Sequence, residues 1–105
     1  KNAKDVSLQK VIGALTRSQR DEFLEGLELK NFVKIFEDRD MMNTLNCLFE
    51  NDLNVSRASR ALYMHRNTLI YRLNKINEIT GLDPRAFSDA VTFIILHKLY
   101  CAKKD

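Results

Sequence analysis

Apolar residues recur three and four positions apart along most of the chain, and that spacing predicts a succession of amphipathic helices. Leu8, Val11, Ile12 and Leu15 form one buried face of a helix from about Val6 to Leu15. Ser18 offers an N-cap to a second helix, in which Phe23, Leu24 and Leu27 face inward, Asp21 and Glu22 lie near the positive end of the dipole, and Gly26 weakens the far end. A third, shorter pattern holds Leu29, Phe32, Val33 and Phe36. Asp38 or Asp40 caps the next helix, whose Met41, Met42, Leu45, Leu48 and Phe49 make a thick apolar face. The methionines continue a regular stripe, so core filling accounts for them better than a binding surface does. Asn51 to Asn54 then breaks the pattern.

The stretch Val55 to Asn77 is organised differently. A short helical segment, Arg57 to Leu62, runs into a tight break at Tyr63, Met64 and His65, and a new helical pattern starts at Arg66. Two helices joined so closely must cross steeply. Ser56 offers an N-cap to the first, Ala58 is small where the two would touch, and Leu62, Leu69, Leu73 and Ile76 supply the inner side. This is the layout of a helix-turn-helix, whose second helix can enter the major groove of DNA. Advancing about 100° per residue from Leu69 turns Asn67, Tyr71, Asn74 and Glu78 away from the core. Thr68 and Lys75 border that stripe, and Arg66 and Arg72 flank it where long cations can reach phosphates. Amides and hydroxyls can read base edges, although a polar outer face is also what any solvated helix has.

Gly81 is a natural residue to follow this helix, with Asp83 and Pro84 as a firm stop. The final pattern runs from about Arg85 to Ala102. Phe87, Val91, Ile94 and Leu99 make one face, and Phe93, Leu96 and Tyr100 extend apolar character around the helix. A helix apolar over most of its circumference must be covered on two sides, either by running through a bundle or by meeting another subunit.

Three glycines and one proline in 105 residues are too few turn residues for many hairpins, which favours an all-α fold: a small helical bundle built around the helix-turn-helix. No apolar run reaches the roughly 20 residues of a membrane span. The basic excess is local. Residues 51 to 80 hold 5 Lys and Arg against 2 Asp and Glu, whereas residues 1 to 50 hold 8 against 9. A polyanion would therefore dock on the helix-turn-helix. Cys47 and Cys101 lack a paired metal-binding spacing and read as reduced thiols. His65 and His97 are read as having no cysteine or second histidine at ligand spacing, so no metal or other cofactor is expected. A nucleophile–base pair and a phosphate-cradling glycine loop are also missing from the pattern, which argues against an enzyme.

The run NDLNVSRASRALYMHRNTLIYRLNKINEITGLD followed by PRAFSDAVTFIILHKLY resembles the C-terminal helix-turn-helix domain of PucR/CdaR-type bacterial transcription regulators, over roughly Leu45 to Tyr100. HRNTLIYRLNKI followed by TGLD is its most specific part. NVSRASRALYMHRNTL is also similar to the DNA-binding end of the Fis protein. The resemblance implies sequence-specific binding of double-stranded DNA as the output domain of a regulator, through Arg66, Asn67, Thr68, Tyr71 and Arg72, with His65 near the entry of the reading helix; Ser56, Arg57 and Lys75 complete the expected contact set. It further implies a homodimer in the bacterial cytoplasm, associated with the nucleoid when bound, and an upstream sensing domain in the same protein, since the chain starts at Lys1 and reads as a C-terminal fragment. Residues 1–50 are then helices packing on the motif and 51–105 the motif plus a last helix, in one compact domain. Two positions depart from the Fis pattern. Tyr63 stands where glycine would ease a left-handed turn, so either the turn differs or Tyr63 is strained. Ile70 replaces a basic residue and is expected to pack on a neighbouring helix. The competing reading is a helical protein-interaction or dimerisation module that does not bind DNA.

Overall fold

The computed structural model describes residues 8–25 and 29–104; Val6, Gly26 and Leu27 of the expected helices lie outside them. Among the described residues there are seven α-helices and no strands: α1 (Leu8–Gly13), α2 (Arg17–Leu24), α3 (Leu29–Phe36), α4 (Arg39–Glu50), α5 (Val55–Ala61), α6 (Arg66–Thr80) and α7 (Phe87–Lys104). None of them is long and apolar enough to cross a membrane. The chain divides into two compact units, Glu28–Val91 on one side and Lys1–Leu27 with Thr92–Asp105 on the other. These units cut across the expected division at residue 50: α3 and α4 belong with the helix-turn-helix.

In the larger unit α3 packs on α4 and α6, and α5 packs on α4 and α6. Its core is Ile35, Phe36, Leu45, Leu48, Ala58, Leu69, Leu73, Ile76 and Ala90, together with Thr44, Ser59 and Pro84. Ile35, which the sequence reading left out of α3's inner face, is among the most deeply buried. Thr44 is tolerated in the core because its hydroxyl donates to the Asp40 carbonyl at 2.8 Å, one turn back on its own helix. Asp38 caps α4, its side chain accepting from the Met41 amide at 3.1 Å.

The smaller unit contains α1, α2 and the later turns of α7, and it buries Ile12, Leu24, Phe93, Leu96 and Leu99. Thr16, not Ser18, is the N-cap of α2. Its hydroxyl accepts from the Gln19 amide and the Gln19 side chain accepts from the Thr16 amide, a reciprocal box that Ser18 cannot form from inside the helix. Phe23, expected inside, is 60% exposed, and Val11 is exposed as well. Leu24 alone carries α2's buried position. His97 Nε2 lies 3.4 Å from Cys101 Sγ, a spacing of four along α7 that the sequence reading of the histidines overlooked. No group of three or more potential metal ligands occurs among the described residues, and Cys47 and Cys101 are both free thiols.

The rotation of α7 differs from expectation, although Leu99 is buried as expected. Phe87, expected on the inner face, is 77% exposed, whereas Phe93 and Leu96, expected outside that face, are buried. Val91, Ile94 and Tyr100 are half-buried. Apolar residues surround this helix, so its periodicity fits more than one inner face. Phe87 is also its first residue. Of the residues that extend apolar character around the helix, Phe93 and Leu96 are thereby covered within the chain.

Candidate nucleic-acid interface

The helix-turn-helix begins two residues earlier than the pattern suggests. Asn54, not Ser56, caps α5: its side-chain oxygen accepts from the Arg57 amide at 2.9 Å. Ser56 lies inside the first turn, where its carbonyl accepts from the Ser59 hydroxyl at 2.8 Å. Asparagine and serine cap equally well, so only the extended backbone at Asn54 (φ −86°, ψ 106°) decides between them.

Both helix ends that lead into the motif close in the same way. After α4 the Leu53 amide donates to Leu48 O and the Asp52 amide to Phe49 O. After α5 the Met64 amide donates to Ser59 O and the Tyr63 amide to Arg60 O. Each is the paired closure of a Schellman motif, which needs a left-handed residue just past the helix. No glycine supplies it in either case. Asp52 (φ 56°), Leu53 (φ 63°) and Tyr63 (φ 53°) adopt that conformation themselves. A left-handed residue with a Cβ costs about 1–2 kcal/mol, so the turn keeps its standard shape and Tyr63 is the strained member of it.

Ala58 is fully buried where α5 packs, and the Cys47 thiol donates to its carbonyl at 3.7 Å, which brings α4 against the same turn. Ala58→Leu should therefore overpack this crossing, at about 1–3 kcal/mol. Thermal denaturation checks it, because an exposed alanine would leave the melting temperature unchanged.

His65 caps α6. Its Nδ1 accepts from the Asn67 amide at 3.1 Å, and its carbonyl receives the Thr68 and Leu69 amides. Leu69, Leu73 and Ile76 are completely buried, so the rotation of α6 is the expected one. His65, Arg66, Asn67, Thr68, Tyr71, Asn74, Lys75 and Glu78 are exposed along the outside. Ile70 is half-buried on a helix that packs on α3, α4 and α5. At the far end Gly81 (φ 80°) takes the left-handed position without strain.

Two side chains of the expected set are less free than the pattern implied. Arg72 is half-buried and its Nη1 donates to Thr44 Oγ1 at 3.3 Å, which ties one terminal nitrogen of the guanidinium to α4. Arg57 stands 3.9 Å from the Asp52 carboxylate, an exposed pair of little energetic weight. Asn74, outside the expected set, is engaged from the loop after α6: Arg85 Nη2 donates to Asn74 Oδ1 at 2.6 Å while Arg85 Nε donates to Asp83 at 2.8 Å. Burial pulls the Asp83 carboxyl upward, but the hydrogen bonds and charge of Arg85 outweigh it and hold the group below its usual range. Asp89, in the first turn of α7, accepts from the Asp83 amide at 2.9 Å. The spacing Asn74–Arg85 crosses a loop, so no helical period could have revealed it.

Residues 41–96 match the PucR C-terminal helix-turn-helix domain. Over 101 residues the chain is 30% identical to the uncharacterized protein YsfB of Bacillus subtilis, covering 96% of this chain and 26% of that protein. It is 41% identical over 59 residues to the carbohydrate diacid regulator of Escherichia coli, covering 56% of this chain and 15% of the relative. It is 39% identical over 66 residues to the DNA-binding transcriptional activator AdeR of Bacillus subtilis, covering 59% and 16%. The chain spans about a quarter or less of the length of these relatives. No solved structure matches it. With the match extending from α4 through α5, the turn and α6 into α7, the chain belongs to the PucR C-terminal helix-turn-helix family.

Proposed function

We propose that this chain binds double-stranded DNA in a sequence-specific manner, as the output region of a bacterial transcriptional regulator. The observation that carries the reading is the division of α6: Leu69, Leu73 and Ile76 are sealed in the core while Arg66, Asn67, Thr68, Tyr71 and Lys75 stand in solvent on its other side. That arrangement presents amide, hydroxyl and cationic groups on a helix held out by α5, as major-groove reading requires. Ser56 and Arg57 at the start of α5 and His65 at the cap of α6 complete the set, on the side of the sugar–phosphate strand. The names of the relatives, among them a DNA-binding activator, support the same assignment. A bacterial cytoplasmic setting and a signal-receiving region elsewhere in the same polypeptide belong to this reading, the latter supported by the greater length of the relatives.

Titration of the chain into a labelled mixed-sequence duplex at low salt is the test. Binding that weakens steeply with added salt is the expected result, because each neutralised phosphate releases about one counterion. No binding at all would favour a protein-interaction module instead.

Pairing of two copies on DNA is part of the proposal, on the ground that one reading helix touches few base pairs. A target with two-fold symmetry and half-sites about 34 Å apart is then expected. Sedimentation with and without duplex decides it, one protein per duplex on an asymmetric site being the opposing result.

A further inference from the structure

The feature that the helix-turn-helix reading leaves unexplained is Tyr63. It occupies the left-handed position that closes α5, with φ 53°, where glycine would serve without strain. A tyrosine can occupy such a position for its packing, but this one is 98% exposed among the described residues. Neither the backbone nor the core therefore accounts for the side chain. Strain kept without any packing return points to a role outside the fold.

Its place indicates which role. Tyr63 is three residues ahead of Arg66, the first residue of α6, so its Cα lies within about 11 Å of the leading end of that helix. The exposed residues that follow are His65, Arg66, Asn67 and Thr68. When the leading end of a reading helix enters a major groove, the turn before it lies over the strand at the rim of that groove. A phenol is suited to that position, since its hydroxyl donates to a phosphate oxygen while its ring covers the adjoining sugar.

We propose that Tyr63 contacts the DNA backbone at the edge of the groove read by α6, the contact offsetting the left-handed strain at this position. The inference rests on the DNA-binding reading given above. Being neutral, Tyr63 contributes to affinity without releasing a counterion, which separates it from the arginines and lysine of the site.

The experiment compares the parent chain with Y63F and Y63G, using a labelled mixed-sequence duplex of about 30 base pairs at several salt concentrations, with melting temperatures measured in parallel. Y63F is expected to weaken binding about three- to tenfold, the range for one hydrogen bond, with the slope of affinity against salt unchanged. Y63G is expected to bind at least as weakly while melting roughly 3–6 °C higher, because the strain is gone. If both variants bind as tightly as the parent, Tyr63 is not a contact and the proposal falls while DNA binding stands. A lower melting temperature for Y63G would overturn the premise that the ring packs on nothing. Should Y63G fail to fold, Y63F decides alone. A parent chain that binds no duplex would overturn the DNA-binding reading, and this proposal with it.

Discussion

Truncating Leu73 to alanine is expected to destabilise the chain by about 2–5 kcal/mol, the range for a fully buried leucine whose neighbours relax only partly into the space left behind. Leu73 is completely buried at the middle of α6, between Leu69 and Ile76, which are equally inaccessible. The helix packs on α3, α4 and α5 together, so its inner face is held from several directions. A small domain has about 5–15 kcal/mol in all, and a loss of this size removes a large part of it. Urea denaturation measures the change directly. Leu73→Met keeps most of the volume and should cost less than about 1.5 kcal/mol, so equal losses for the two variants would mean that the site is not a packed one.

The second large effect concerns the division of labour on the outer face of α6. Asn67→Ala should erode discrimination between a preferred site and random duplex by about 1–3 kcal/mol, as loss of a good base contact does. Arg72→Ala should instead weaken binding to all duplexes alike and reduce the salt slope by about one. Because Arg72 also donates to the buried Thr44 hydroxyl, its removal should lower the melting temperature too, whereas Asn67, exposed in the first turn, should not. Competition binding against specific and random DNA, set beside thermal melts of both variants, separates the two roles. Identical profiles for the two variants would dissolve the distinction.

The helix-turn-helix was legible in the sequence because its inner residues repeat cleanly. Leu69, Leu73 and Ile76 sit on one side of a helix whose other side is polar, so a single rotation satisfies both. The same reasoning misassigned Phe87, Phe93 and Leu96 of α7, where apolar residues lie all round and several rotations bury similar area. Asp38 and Gly81 end their helices as the sequence suggests, whereas Ser56 and Ser18 do not, for a local reason. Asn54 and Ser56, or Thr16 and Ser18, are chemically equivalent acceptors two positions apart, and what selects one is the backbone angle set by the preceding turn. Arg72 was placed by helical angle alone, which carries no information about the threonine on α4 that its guanidinium meets. For Tyr63 the sequence leaves strain and a different turn as alternatives, and the paired amide bonds at the end of α5 resolve them towards strain.

Asn74 adds a constraint on the vocabulary of the proposed site. An asparagine recognises adenine by offering an acceptor and a donor side by side, one to N6 and one to N7. Here Arg85 already holds the amide oxygen, at 2.6 Å. One of that oxygen's two lone pairs is thereby taken, so Asn74 is freest to offer a base its two N–H bonds, which match acceptors such as guanine N7 and O6, adenine N7 or thymine O4. His65 is biased in the same direction, since its Nδ1 accepts the Asn67 amide and the neutral ring therefore carries its hydrogen on Nε2. Two residues that could in principle speak either way are thus biased by their neighbours towards donation. The surface α6 offers to a duplex is more one-sided than its amino-acid letters suggest.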